Sequence, residues 1–498
     1  MSSPAAASAA EPRLELWHLP GDALALVLAH LTLHERLSLR RVCSGLRASL
    51  EEDAVWSLPF SSRWPLLKCV NGEWREAYER RAREVSRCAF NDPELHTVSA
   101  GAAAVEAMQL VNGGRTLLAA CGPAVVVLGD AKRGLTRSEL RGHTARVLAL
   151  QACDAAVLSS SADRTLRLWP LSASPRETPR ILRSHDAGFS ALAPLLSLPC
   201  GFLASAGCTD GAVVIARSRL SSSPRGDSTT TLRGHGRAVR SLAWADCGRL
   251  LSVGGDGKVK AWDVERSLCI STAPLRTSLG GNLRTVIADG ASTAYVLGER
   301  RLARLDWREP ATAALSGATP ELPPSSAPLC AVALRDGHLA TGHADGMVRI
   351  WDARSLPSAP AFGLRTHPPL FSYGGHAGAV TSLVANAHCI LSAVAAPEVR
   401  QCGRPDAQEA ATLRLWSQGG AAEHPRTLRM CDPAACACSA ECGCDCPVRA
   451  VALGSGSVAA ASGGQIMWRR YEKARQPLED SDERGSGAAR FWASTAYS

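Results

Sequence analysis

Between residues 233 and 263 the chain alternates apolar and polar positions in three short runs, 239–244, 250–253 and 258–263, separated by turns at Ala245–Gly248 and Gly254–Gly257. Gly234-His235 stand in front of the first run. Period-two alternation broken by Gly and Asp turns predicts three antiparallel strands. A meander that small cannot bury both of its faces, so a repeated unit of this kind must stack on its neighbours.

The unit recurs. Gly142-His143 leads through Asp163 to Trp169, Ser184-His185 through Asp210 to Ala216, and Gly375-His376 through an insertion to Trp416. A copy over 331–352 keeps Asp345 and Trp351-Asp352 without a leading histidine; degenerate copies run over 283–307, 448–468 and 105–130. The third-strand positions are then Leu128, Trp169, Ala216, Trp262, Leu305, Trp351, Trp416 and Trp468. This pattern resembles WD40 repeats, whose blades recur every 40 to 45 residues or so. The resemblance implies a mainly β fold, a β-propeller of eight blades, or seven if 105–130 is not a blade. Residues 95–100 are placed to close the ring as the outer strand of the blade ending at Trp468. His143, Ser159, Asp163 and Trp169 match His235, Ser252, Asp256 and Trp262. A nucleophilic triad is built once per site, so this multiplicity assigns them to the scaffold.

Ahead of the repeats the period changes. Leu24, Val27, Leu28 and Leu31 fall at i, i+3, i+4, i+7, and Leu39, Val42, Cys43, Leu46 and Leu50 repeat the spacing. Two amphipathic helices and a third short piece ending at Trp56 are expected. So small a bundle needs a partner. Leu19-Pro20, Leu24, Val27-Leu28, Leu31, Leu37, Val42-Cys43 and Trp56 resemble the apolar positions of an F-box, with Arg36 where that family more often has leucine and Leu46 where it commonly has tryptophan. The resemblance implies docking on a Skp-type adaptor, and through it a cullin/RING ubiquitin ligase, by Leu19, Pro20, Leu24, Val27, Leu28, Leu31, Leu37, Val42 and Cys43. A charged helix over 72–87, with Trp74 and Tyr78, follows as a spacer. The expected organisation is a disordered leader 1–13, an F-box domain 14–58, a helical linker 59–93, the propeller 94–475 and a disordered tail 476–498.

With 46% apolar and 20% charged residues the chain reads as globular, and its net charge of +9 is dispersed among 46 acidic residues. Neither feature suggests nucleic-acid binding. No apolar run reaches the roughly 18 residues of a membrane span, and no basic-then-apolar leader opens the chain, so a cytoplasmic or nuclear location is expected.

Departures from the repeat carry the remaining candidates. Arg240 and Arg449 follow the Val after the leading position, with Arg237 nearby; Arg400 and Arg404 lie in an insertion over 394–411. These arginines are the candidate target contacts, although two blades half a ring apart do not make one phosphate pocket. The insertion and a second one over 431–447 belong to adjacent blades, either as a recognition surface or as mobile decoration. Six of the 18 cysteines, Cys431, Cys436, Cys438, Cys442, Cys444 and Cys446, crowd the second insertion. Zinc or another soft metal, a redox-labile disulfide and a structureless loop all fit that spacing; no other cofactor is implied. The expected function is a non-catalytic receptor that presents a target protein for ubiquitination. A propeller scaffold outside ubiquitination and a Cys-rich metal or redox sensor are the alternatives.

Overall fold

The computed structural model describes the chain from Leu19 to Arg470. Outside the described residues are 1–18, 395–412, 429–447 and 471–498, shorter stretches at 65–68, 90–93, 172–179, 220–226, 309–314, 319–325, 355–367 and 418–425, and further single residues and pairs. The expected leader, tail, Cys-rich segment and nearly all of the 394–411 insertion fall there. Two compact units divide the chain, mainly at Ala89 and Phe90.

The first unit is helical: α1 Gly21–Ala29, α2 Leu33–Leu39, α3 Ser44–Glu51, a 3-10 turn Asp53–Trp56, α4 Ser57–Arg63 and α5 Trp74–Ala89. Pro20 precedes α1 with φ −54°, the angle a proline ring fixes, and Asp22 puts an acid in the first turn where the helix dipole favours it. The expected single helix over Leu39 to Leu50 is instead two. Cys43 is extended (φ −154°, ψ 165°) and its Sγ accepts from Leu46 N–H at 3.3 Å, so it starts α3 as an N-cap rather than continuing α2. The break leaves Val42 67% exposed rather than facing the core.

The core gathers Leu24, Leu28, Leu50, Val55, Trp56 and Phe60, and continues beyond residue 58 through Trp64, Tyr78 and Ala82. Tyr78 lies 5.4 Å from Trp56 and 5.0 Å from Trp64 between ring centroids. Asp53 joins α5 to the earlier helices, its two carboxylate oxygens accepting from Trp74 N–H and Arg75 N–H, both at 2.8 Å. Arg36, fully buried, sets its guanidinium 4.1 Å from the Tyr78 ring centroid and 5.6 Å from that of Trp56. A cation over two aromatic faces does here what a leucine's methyls would do elsewhere.

The second unit is a ring of eight antiparallel sheets among the described residues, seven of four strands and one of five. All eight third-strand positions read from the sequence fall on third strands, from Leu128 in Ala124–Ala131 to Trp468 in Gln465–Arg470. The first blade is complete, Val105–Val111, Thr116–Cys121, Ala124–Ala131 and Gly134–Arg141, which decides for eight blades. Glu94–Ser99 pairs with Gln465–Arg470, Glu94 opposite Arg470 and Ser99 opposite Gln465, and closes the ring as expected within one residue. The extra strand is in the third blade, where Phe189–Leu192 and Leu196–Leu198 both pair with Gly201–Cys208. The core lies between blades: Leu251, Val253 and Val259 of the fourth meet Leu283, Val286, Val296 and Leu305 of the fifth.

The Asp53 cap yields a test. Asp53→Ala is expected to destabilise the helical unit by about 1 to 2 kcal/mol, the usual cost of losing a carboxylate cap. In the full chain this appears as faster hydrogen exchange at the first amides of α5 with propeller amides unchanged; equal exchange in α5 contradicts the assignment.

Candidate functional site

In the second blade Trp169 Nε1–H donates to Ser159 Oγ at 2.7 Å, Ser159 lies 2.8 Å from His143 Nε2, and His143 Nδ1 lies 2.8 Å from Asp163 Oδ2. The serine hydroxyl, occupied as acceptor by the indole, donates to Nε2, which assigns the imidazole proton to Nδ1 and points it at the carboxylate. The fourth blade repeats this with Trp262, Ser252, His235 and Asp256 at 2.8, 2.7 and 3.1 Å. The seventh keeps Trp416, Ser392 and His376 at 2.8 and 2.6 Å. These side chains are buried and spent on one another, so the scaffold reading of the sequence holds.

Burial is the largest influence on both His143 and His235 and pulls their pKa values below the ordinary histidine value, which keeps the rings neutral. Burial alone would raise the Asp163 carboxyl; hydrogen bonds from Thr165, His143 and Thr144 N–H outweigh it and bring it down to about 2.

The sixth blade does not lack an imidazole. His343, two residues after Thr341 on the same strand face, lies with Nε2 2.7 Å from Thr341 Oγ1 and Nδ1 2.9 Å from Ser326 O, while Trp351 Nε1–H donates to Thr341 at 2.7 Å. The histidine has moved from the leader to the second strand. Asp345, relieved of its usual partner, pairs with Arg349 at 2.6 Å. The alternation of Thr341 and His343 is the sequence signal that locates it.

Of the residues expected to meet an adaptor, Leu24 and Leu28 are enclosed in the helical core. Leu19, Leu31, Leu37 and Cys43 are half-buried, whereas Pro20, Val27 and Val42 are exposed. Leu26 and Leu58, absent from the sequence reading, are exposed as well. This leaves a helical unit whose inner leucines hold the fold while several apolar side chains face outward.

On the propeller, Arg237 and Arg240 are exposed. Arg400, Arg404, Arg449 and the six cysteines from Cys431 to Cys446 lie outside the described residues. The structure adds an arginine that sequence reading missed. A Cβ on Gly254 would strike the His235 ring, and a Cβ on Gly298 would strike Leu279, so Leu279 fills the histidine's place in the fifth blade. Counting on from it, Leu283 matches Val239 and Arg284 matches Arg240. Arg240 Nη1–H donates to Leu283 O at 3.3 Å, which sets the two arginines side by side on adjacent blades. Arg284 Nε is buried and finds no hydrogen-bond partner among the described residues. Beside them Asn282 Nδ2–H donates to Glu299 at 2.7 Å. That hydrogen bond, with Arg284 and Arg240 adding to it, holds the Glu299 carboxyl below its usual range. Two neighbouring guanidiniums and one carboxylate make a polar site suited to a bidentate acceptor on a target.

Two family models match the chain. The F-box domain model matches residues 16–58, and the WD domain, G-beta repeat model matches 134–170, 226–263 and 325–352. The chain carries an F-box domain and WD40 repeats. The F-box/WD40 chain is 30% identical over 132 residues to "Ribosome biogenesis protein YTM1" of Coprinopsis cinerea, covering 26% of this chain and 29% of that one. It is 28% identical over 271 residues to "Mitochondrial division protein 1" of Aspergillus niger, covering 54% and 33%. The chain thus spans about a third of the length of the curated relatives it matches. Among solved structures, Chaetomium thermophilum Sqt1 bound to the N-terminus of the ribosomal protein L10 aligns at TM-score 0.57 and 15% identity over 76% of this chain and all of that one, a likeness of fold.

The buried His343 gives a pH prediction. Burial pushes its pKa down to about 4, so the unfolded state binds the proton first as pH falls. Its contribution to stability is whole above about 6.5 and is lost progressively toward pH 4, by up to about 3 kcal/mol at 1.36 kcal/mol per unit. Asp163, held at about 2, loses its contribution only below about pH 4. His343→Gln is expected to flatten the melting-temperature profile between pH 6.5 and 4 and leave the steeper acid limb in place; an unchanged slope in the upper window contradicts the placement.

Proposed function

We propose that this chain is a substrate-recognition subunit of an SCF-type ubiquitin ligase, non-catalytic in itself. The helical unit would dock on a Skp-type adaptor, and through it on a cullin/RING ligase, while the propeller holds a target protein in the cytoplasm or nucleus. One observation supports this most: an F-box with a closed core of its own still turns Leu26, Val27, Val42 and Leu58 outward, apolar area that needs a partner. On the ring, Arg240 and Arg284, with Arg237 nearby, are the proposed target contacts. A propeller presenting charged side chains at its first strands offers a binding surface, and the His, Ser and Asp groups of its second and fourth blades are engaged in holding those blades. Binding at both ends gives proximity between target and ligase, which is the receptor's whole contribution to the reaction.

Val42 is the residue on which to test the reading, because its 67% exposure separates docking from folding. Burying one valine-sized side chain is worth ~1.5–3 kcal/mol. Val42→Glu is therefore expected to weaken capture of a Skp-type adaptor by at least tenfold with the melting temperature unchanged. Equal capture by the variant, or no capture by the wild-type chain, removes the ligase assignment and leaves a propeller scaffold.

A further inference from the structure

The third blade breaks the pattern that the second, fourth and seventh keep. Its hairpin turn has Gly211 N–H donating to Cys208 O at 3.2 Å, as Arg164 N–H donates to Ser161 O in the second blade at 3.0 Å. By that register Ala206 stands where the second blade has Ser159, Ala216 where it has Trp169, and Cys208 where it has Ser161. The hydroxyl and the indole that consume the histidine elsewhere are both gone. His185 Nε2 is left 3.7 Å from Asp210 Oδ2, beyond hydrogen-bonding distance, with the Cys208 thiol alongside.

We propose that His185, Cys208 and Asp210 form a divalent-metal site, fitted to zinc or a similar borderline ion. One donor atom from each lies within 4.8 Å of the other two. Tetrahedral zinc, with Zn–N near 2.0–2.1 Å and Zn–S near 2.3 Å, spaces its ligands roughly 3.3–3.8 Å apart, so a small inward movement completes the set. Three protein ligands leave a fourth position for water, on the side of Asp210, the most exposed of the three.

The frame is built before any ion arrives. Thr209 N–H donates to Gly188 O at 3.2 Å and the Thr209 hydroxyl to Ala187 O, which ties the turn carrying Cys208 and Asp210 to the turn carrying His185. Gly188 N–H donates to His185 O at 3.0 Å. Asp210 Oδ1 accepts from Ala212 N–H at 3.0 Å, which fixes the carboxylate and leaves Oδ2 to the site. Gly211 has φ +90°, and a Cβ there would collide with His235 O, so the turn is wedged against the fourth blade.

Loading balances simply. The dication takes the place of the thiol proton, Cys208 S–H becoming a metal thiolate with release of one H⁺, and the thiolate and the Asp210 carboxylate together neutralise the ion's two charges. Ala187 N–H now faces His185 Nδ1 at 3.3 Å. For Nε2 to ligate, the ring proton moves to Nδ1 and that long contact is given up. Burial holds the Cys208 thiol up at about 12, with Asp210 adding and Arg183 opposing, so in the ion's absence it is an inert thiol.

The test uses the full chain with all six cysteines from Cys431 to Cys446 changed to serine, titrated with Co²⁺ alone. The expected result is a thiolate-to-cobalt charge-transfer band saturating at about one equivalent. Cys208→Ser is expected to abolish the band, Asp210→Asn and His185→Gln to weaken binding by tenfold or more, and the exposed Cys247→Ser to change nothing. Asp210→Asn, at a partly exposed position, carries the test if Cys208→Ser fails to fold. No thiolate band, or a band of full strength in both Cys208→Ser and Asp210→Asn, overturns the site.

Discussion

The pairing of Glu94–Ser99 with Gln465–Arg470 is the constraint on which the ring depends. It turns a row of eight meanders into a closed ring and leaves neither the first blade nor the eighth with an open face toward its neighbour. Val105, Leu117 and Leu128 of the first blade pack with Ala450, Ala459, Ile466 and Trp468 of the eighth, and Ser457 donates to Gly114 O at 2.8 Å. Closing so long a loop costs roughly 3 kcal/mol more than closing a ten-residue hairpin, at about 0.6 kcal/mol per doubling. Burial between the end blades offsets that.

Within the ring, the turns of the second, fourth, fifth, sixth and seventh blades are held from inside by a hydrogen-bonded chain or by a residue that fills its place. The indole, hydroxyl, imidazole and carboxylate of the second and fourth blades form one such chain. In the sixth an imidazole from the second strand takes over, and in the fifth Leu279 fills the slot with hydrocarbon. The third blade keeps the imidazole and carboxylate but gives up the groups between, and that is why chemistry collects there. Scaffold and site therefore differ in whether the polar groups are used up, not in which residue types are present.

Much of this was legible in the sequence. Period-two runs, Gly/Asp turns and tryptophans at blade spacing located the third strands, and even Ala216 and Leu305 could be placed because their neighbours kept the register. Helical spacing located α1, yet it could not show that Cys43 would adopt an extended backbone and cap α3, because its periodicity fits a continuing helix equally well. Arg284 escaped notice since its blade has lost the Gly-His landmark from which the register is counted. The Arg36 contact with Tyr78 and the Asp53 cap on α5 were invisible for a different reason: they join segments whose separation in sequence carries no periodic signal. The trio in the third blade looked like a damaged repeat, and only the spacing of its donor atoms gives it a chemical reading.

The central claim is that one chain connects a target to a ligase through two separate surfaces. Proteome-wide protein turnover in cells lacking this chain, restored with wild type, with Val42→Glu or with Arg240→Glu/Arg284→Glu, measures that connection directly. The account predicts a set of proteins whose half-lives lengthen without the chain and return to normal only with wild type, the arginine variant still capturing the Skp-type adaptor. Full restoration of turnover by Val42→Glu would contradict it.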